Sequence, residues 1–174
     1  MHHRPVRSCS FRAALLDAFG GGCEILTACD LRIAVEGTLF SFAQVRNGLT
    51  TGWGGTTRLV QLVGLSRASE LLLSGRVFDA QEALQIGLAH RLIPRGGDVL
   101  HAARVWAEEL AQLPARSQAA LKVLIYAAAQ RPADEVQELE TLLFMAQWGS
   151  PDHLEALAAF DEKRTPVFNQ ALPQ

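Results

Sequence analysis

The hydrophobic pattern falls into two regimes along the chain. As far as Pro94 the apolar runs are short and punctuated by glycine, and beyond it they recur at helical spacing. In the first regime Cys23 to Ala28 reads as a short buried helix. Leu31 to Val35, apolar and β-branched with Arg32 near one end, reads as a strand, and Thr38 to Phe42 as a second short strand. A glycine-rich loop, GLTTGWGG from Gly48 to Gly55, leads into TTRLVQLVG, where Leu59, Leu62 and Val63 share one helical face. Gly64 is expected to stop that helix and Ser66 to cap the next, RASELLLSG. Arg76 to Phe78 reads as a short strand. Asp79 then stands as N-cap with Glu82 three residues on, as in a capping box, and Gly87 ends the helix they start. Leu88 to Ile93 is the next extended run, closed by Pro94.

The second regime predicts four helices, roughly 98–113, 116–130, 134–148 and 152–163. Val99, Ala103, Trp106, Leu110 and Leu113 stripe the first, and Val136, Leu139, Leu143 and Ala146 the third. Short strands mixed with helices, followed by helices alone, predict an α/β core with a helical C-terminal region. Leucine-rich terminal helices in a short chain fit a subunit interface as well as a core.

Composition narrows the function classes. The chain has 174 residues, 49% of them hydrophobic and 20% charged, enough for a core and within the size of one domain. A formal net charge of −2 without a block of like charge disfavours nucleic acid and anionic membrane as partners. No apolar run approaches the roughly 18 residues of a spanning helix; the longest, around Ala119 to Ala129, contains Lys122. Cys9, Cys23 and Cys29 form an odd set without CxxC spacing, which fits reduced thiols in a cytoplasmic protein. The opening MHHRPVRSCSFRAALLDAF resembles a transit peptide in its arginines and serines, but Asp17 interrupts its apolar part and no cleavage signature follows. His2 and His3 read as a solvated terminus, and His90, His101 and His153 lack ligand or nucleophile spacing, so no metal site is expected.

The stretch GGGCEILTACD, from Gly20 to Asp30, raises a chemical question. A helix N-terminus presents unpaired N–H groups and partial positive charge, and glycine lets a ligand oxygen approach them closely. Gly20, Gly21 and Gly22 are therefore either oxyanion donors or a tight turn packed against neighbouring backbone. Neither GxGxxG nor GK[ST] is present, so nucleotide-phosphate cradles are excluded.

GGGCEILTACDLRIAVEGTLFSF, GLTTGWGGTTRLVQLVG and LLLSGRVFDAQEALQIGLAHRLIP, in that order, with EALAAFDEKRTPVF near the end, resemble the crotonase, or enoyl-CoA hydratase/isomerase, family from about Gly20 to Phe168. The resemblance implies an α/β fold with a ββα spiral core of the ClpP/crotonase type and a C-terminal helical trimerisation region. It also implies assembly as a homotrimer or hexamer, and a coenzyme A thioester as substrate with no other cofactor. By the same resemblance Gly21 gives a backbone N–H to the thioester oxygen, with Gly20 and Gly22 beside it, and Glu24 occupies the first of two acid positions. One preorganised donor to a developing enolate oxygen contributes roughly 3–4 kcal/mol. Glu24 could exchange a proton with substrate carbon if burial raises its pKa, or serve only as a dipole partner of its helix.

The pattern departs from a hydratase at the second acid position, where Gln44 stands. An amide cannot take a proton from water, although it can orient one or bind a polar group, or simply pack. Gly52 and Trp53 lie in the loop that lines the acyl pocket in the family, and WGGTTRLV is similar to ethylmalonyl-CoA decarboxylase members; Trp53 as a core aromatic is the alternative. Decarboxylation needs enolate stabilisation in an apolar pocket and no water-activating pair. Lys163 and Arg164 stand where the family offers a cation to CoA phosphates, or where cations favour a helix end. Nothing in residues 1–19 matches the family's upstream strands and second oxyanion N–H, and FRAALLDAF stands where a strand is expected. The organisation read from the sequence is thus an unmatched segment at 1–19, a partial, N-terminally truncated core at 20–113 and a helical region at 114–174. An acyl-CoA-processing enzyme is the first reading, with an acyl-CoA decarboxylase or an inactive fragment retaining only assembly as alternatives.

Overall fold

The computed structural model describes residues 9–14 and 16–169. His2 and His3 lie outside the described residues. The chain forms two compact units, one of Cys9–Val105 and one from Trp106 onward.

The first unit begins with strands β1 (Phe11–Ala14) and β2 (Ala18–Phe19), helix α1 (Gly21–Thr27) and strands β3 (Leu31–Val35) and β4 (Leu39–Ser41). A 3₁₀ turn at Ala43–Asn47 follows, then α2 (Gly55–Ser74), β5 (Phe78–Asp79), α3 (Ala80–Gln85) and β6 (Arg91–Ile93). Two small sheets result. β3 is central in a parallel sheet ordered β1-β3-β6, and β4 is central in the other, parallel to β2 and antiparallel to β5. FRAALLDAF thus holds two strands after all: ladder pairing with β3, from Phe11 opposite Leu31 to Ala14 opposite Ala34, overrides the weak strand propensity of an Ala- and Leu-rich stretch. Asp30 ties β1 down at its start by accepting from the Ser10 amide and hydroxyl at 2.6 and 2.7 Å. Asp17 accepts from the Leu39 amide at 2.8 Å, satisfying the first donor of β4.

The core of this unit is built from Cys23 and Leu26 of α1, Ala34 of β3, Phe40 and Phe42, Leu59 and Leu71 of α2, Phe78 and Leu88. Phe40 and Phe78 stack across the β4–β5 pair with centroids 5.7 Å apart. Arg32 is buried with its guanidinium directed to the carbonyls of Leu88 and Cys29, at 2.6 and 2.5 Å, which joins β3 to the end of α1 and to the turn before β6. Gly64 leaves helical geometry at φ 78°, ψ 162°, breaking α2 where the sequence places a stop. The helix resumes at once, so Ser66 sits inside the second segment and does not cap it. Asp79 caps α3 by accepting from the Glu82 amide at 2.8 Å. The Glu82 carboxylate does not close a capping box; it pairs with Arg76, which also binds Glu70.

Helix α4 (Val99–Ala111) begins in the first unit, and α5 (Ala115–Ala128), α6 (Ala133–Gln147) and α7 (Pro151–Asp161) follow in the second. Asn169 accepts from the Ala115 amide at the start of α5 at 2.8 Å, and Ser150 accepts from the His153 amide at the start of α7. Trp148 lies between Phe144 and His153, with ring centroids at 5.3 and 4.9 Å. Many large apolar side chains of this unit are exposed: Leu142, Met145 and Leu157, and Phe160 at 83%. Ala146, placed on the apolar stripe of α6 by periodicity, is exposed as well.

Candidate active site

Two glycine-rich segments meet in the first unit. Gly20, at φ 53° and ψ −116°, adopts a backbone conformation open to glycine and turns the chain from β2 into α1. Its amide donates to the Ser41 carbonyl at 2.8 Å, so Gly20 contributes a turn and a sheet contact; the expectation of a ligand-binding N–H does not hold there. Gly21 is the first residue of α1, where a helix leaves its N–H groups without intrahelical acceptors. The place of its missing side chain is taken by an aromatic ring: an added Cβ would stand 2.9 and 3.2 Å from Cη2 and Cε3 of Trp53, whose ring lies against this face. Gly22 has only ordinary contact nearby, Ala18 Cβ at 3.7 Å, and shows no such requirement.

Glu24, on the first turn of α1, is 3% exposed. Its Oε1 accepts from Gln44 Nε2 at 2.7 Å and from the Gly52 amide at 3.3 Å, and its Oε2 accepts from the amides of Trp53 and Gly55 at 2.8 and 3.0 Å. Burial of the carboxyl pushes its pKa up, but the backbone donors from Trp53, Gly55 and Gly52 together with the Gln44 amide outweigh it, and the pKa lies below the ordinary glutamate value. The condition set for proton exchange by Glu24, a pKa raised by burial, is not met, because ionised Glu24 is the acceptor that satisfies the loop at the start of α2. Gly55 fits against it so closely that an added Cβ would stand 2.5 Å from Glu24 Cγ.

Gln44, on the 3₁₀ turn, must direct its amide nitrogen at the carboxylate, since the reverse orientation would set two acceptors face to face. Its Oε1 is then turned away, buried, and without a hydrogen-bond partner among the described residues. Gly52 turns its N–H to Glu24 and not outward to a ligand. Trp53 is 64% exposed, so the core-aromatic alternative fails and its ring is available at the surface of the site.

Arg58 escaped notice in the sequence. From the first turn of α2 it donates to the Trp53 carbonyl at 2.7 Å, the Glu24 carbonyl at 3.0 Å and Thr27 Oγ1 at 3.0 Å. In TTRLVQLVG it is indistinguishable from a solvated helical arginine; only its position one turn after the glycine pair could have drawn attention to it.

Lys163 belongs to the helical unit, exposed and at φ 53° beyond the end of α7, and makes none of these hydrogen bonds. Its neighbour Arg164 is engaged by carboxylates, with Nη2 on Glu155 Oε2 at 2.9 Å and Nε on Glu162 at 2.6 Å, which draws its charge away from the role of a CoA cation. Cys23 is buried with its thiol pushed up to about 12, chiefly by burial, and donates to the Ala18 carbonyl, so it is an inert core residue. Among the described residues no three His, Cys, Asp or Glu side chains come together as a metal ion requires.

Glu24 and the glycine-rich loop it holds lie beside the glycine-started helix α1. The enoyl-CoA hydratase/isomerase family model matches residues 17–171, and the chain belongs to that family and has the crotonase fold. The "Probable enoyl-CoA hydratase echA8" of Mycobacterium tuberculosis is 35% identical over 163 residues, 94% of this chain and 63% of its own. The ethylmalonyl-CoA decarboxylase of Gallus gallus is 34% identical over 142 residues, 80% of this chain and 48% of its own. The enoyl-CoA hydratase subunit I structure from Geobacillus kaustophilus HTA426 superimposes with a TM-score of 0.88 at 34% identity, covering 94% of this chain and 63% of that one. The chain thus spans less than two thirds of the length of these relatives.

Proposed function

We propose that this chain processes acyl-CoA thioesters and stabilises a thioester enolate at the N–H of Gly21. The observation that carries the reading is the start of α1: the Gly20 N–H is taken by Ser41, whereas Gly21 opens the helix with its N–H unpaired by helix geometry and with no Cβ beside it. The names of the relatives, hydratases and a decarboxylase that act on CoA thioesters, support the same substrate class.

Within that class, the hydrogen bonds around Glu24 favour decarboxylation over hydration. Hydration by paired acids needs a carboxylate free to take a proton from water; position 44 is an amide and Glu24 already accepts four hydrogen bonds. Decarboxylation asks only for the enolate site. The bond from the α-carbon to the departing carboxylate breaks, its electron pair passes into the enolate, carbon dioxide leaves, and water returns a proton to the α-carbon. The exposed Trp53 ring supplies an apolar wall beside Gly21 for this step.

Lys163, exposed at the end of α7, is assigned to CoA phosphate binding. The exposed apolar residues of α6 and α7 support a homotrimer or hexamer, since patches of this kind mark interfaces. Among the described residues no helix is long and apolar enough to cross a membrane. We place the chain in the cytoplasm, a reading supported by cysteines that form no disulfide among the described residues.

The test is isothermal titration of the chain with butyryl-CoA against free CoA, followed by assays of ethylmalonyl-CoA loss and crotonyl-CoA hydration. Saturable binding that prefers the thioester, with decarboxylation exceeding hydration, is expected. A folded sample that does not distinguish butyryl-CoA from CoA would refute the enolate site and leave assembly as the retained role; hydration as the dominant turnover would refute the assignment at Gln44.

A further inference from the structure

We propose that Glu24 is a positioning residue and not a proton carrier: together with Arg58 it clamps the Gly52–Gly55 loop so that the Trp53 indole is stationed against Gly21, where it limits the acyl groups that can enter. The acyl-selecting half of this proposal rests on the function proposed above; the clamp itself does not.

The clamp is visible as a division of hydrogen bonds. A carboxylate offers about four lone-pair directions, and Glu24 has four donors, two on each oxygen, so none is left facing a ligand. Three of the four donors are backbone amides of one loop, those of Gly52, Trp53 and Gly55. Arg58 grips the same loop from the other side. Its Nη2 takes the Trp53 carbonyl, and through Nη2 and Nε it also holds the Glu24 carbonyl and the Thr27 hydroxyl of α1. Both backbone polar groups of Trp53 are therefore pinned to α1, its N–H by the Glu24 carboxylate and its C=O by Arg58.

What the clamp presents is a ring left 64% exposed. The loop holds the indole outward, on the face of Gly21 where a side chain would otherwise stand. An acyl thioester whose oxygen reaches the Gly21 N–H meets that ring as its neighbouring wall, so the loop position sets the room available beside the α-carbon.

The test uses the full chain with Trp106 and Trp148 replaced by phenylalanine, which leaves Trp53 as the sole reporter of the three tryptophans. Glu24→Gln and Arg58→Met are compared in this background by emission maximum, acrylamide quenching, circular dichroism and butyryl-CoA titration. Both variants are expected to keep their helical signal while the Trp53 quenching constant rises, by no more than about 1.5-fold since the ring is already 64% exposed, because a loosened loop opens locally. Both should also weaken butyryl-CoA binding by a similar factor, about tenfold, through lost preorganisation. Unchanged Trp53 quenching in Glu24→Gln overturns the clamp. Should Glu24→Gln fail to fold, Arg58→Met decides alone, and unchanged quenching there overturns the proposal equally. Absence of butyryl-CoA binding in the parent protein, with quenching raised in the variants, would refute the acyl-thioester function while the clamp stands.

Discussion

Gly55→Ala separates local propensity from tertiary packing with opposite signs. Gly55 is the first residue of α2, where glycine to alanine gains at most the roughly 0.5–1 kcal/mol found in a helix interior. Here the new Cβ would stand 2.5 Å from Glu24 Cγ, 2.8 Å from Oε2 and 2.9 Å from Cδ, on the order of 1 Å inside the usual carbon–carbon contact of about 3.5–4.0 Å. Glu24 has no easy retreat, since it is buried and one of the donors on its Oε2 is the Gly55 amide itself. Overpacking of this kind costs about 1–3 kcal/mol, and each weakened hydrogen bond to a charged acceptor adds a share of its roughly 1.5–3 kcal/mol. The expected net effect is destabilisation by about 2–4 kcal/mol, a fall in Tm of roughly 4–16 °C for a chain of this size. Thermal and urea unfolding followed by circular dichroism measure it. In a Glu24→Ala background the same substitution should cost nothing, because the obstructing side chain is gone. A Gly55→Ala protein that melts at or above the parent temperature would refute the steric reasoning and the described fit of the carboxylate.

Gly21→Ala should push the indole off α1 and red-shift Trp53 emission while changing Tm little, because the displaced ring is already largely exposed; an unchanged spectrum would contradict the contact. Asp79→Ala should cost about 1 kcal/mol by removing the acceptor for the Glu82 amide at the start of α3, measured by urea unfolding. The stability difference between the parent protein and Glu24→Gln should be pH-dependent. The folded pKa of Glu24 is depressed, so its contribution is fully present above the ordinary value of 4.5 and is lost as pH falls through the folded value. Urea midpoints for both proteins between neutral pH and pH 3 check this, and a gap that widens on acidification would reverse the assigned sign.

Much of the secondary structure was legible because it rests on local signals. The four C-terminal helices follow their apolar spacing, the Asp79 cap follows a short-range side-chain preference, and the glycines at 64 and 87 interrupt helices through positive φ. The family was legible too, since its motifs are contiguous words in fixed order. β1 was not, because Ala- and Leu-rich residues become a strand only when β3 lies beside them to complete the ladder.

The site divides in the same way. Which residues are chemically able was legible before the fold: the glycines 20 to 22 and Glu24 from type and spacing, Gln44 and Trp53 from the family resemblance. What each one does depended on partners distant in sequence. Gly52, Trp53 and Gly55 reach Glu24 across 28 to 31 residues and lower the pKa of a buried carboxyl that isolated burial would have raised. Arg58 acquires its role only because α2 packs beside α1, placing its guanidinium on the carbonyls of Glu24 and Trp53. The sequence by itself determined the helices, the family and most of the able groups, since these are set by local propensity and pattern, whereas β1 and the role of Arg58 waited on the fold. The tertiary structure alone decided which lone pairs and N–H groups remain free, because hydrogen-bond capacity is finite and its allocation depends on where the folded backbone brings the donors.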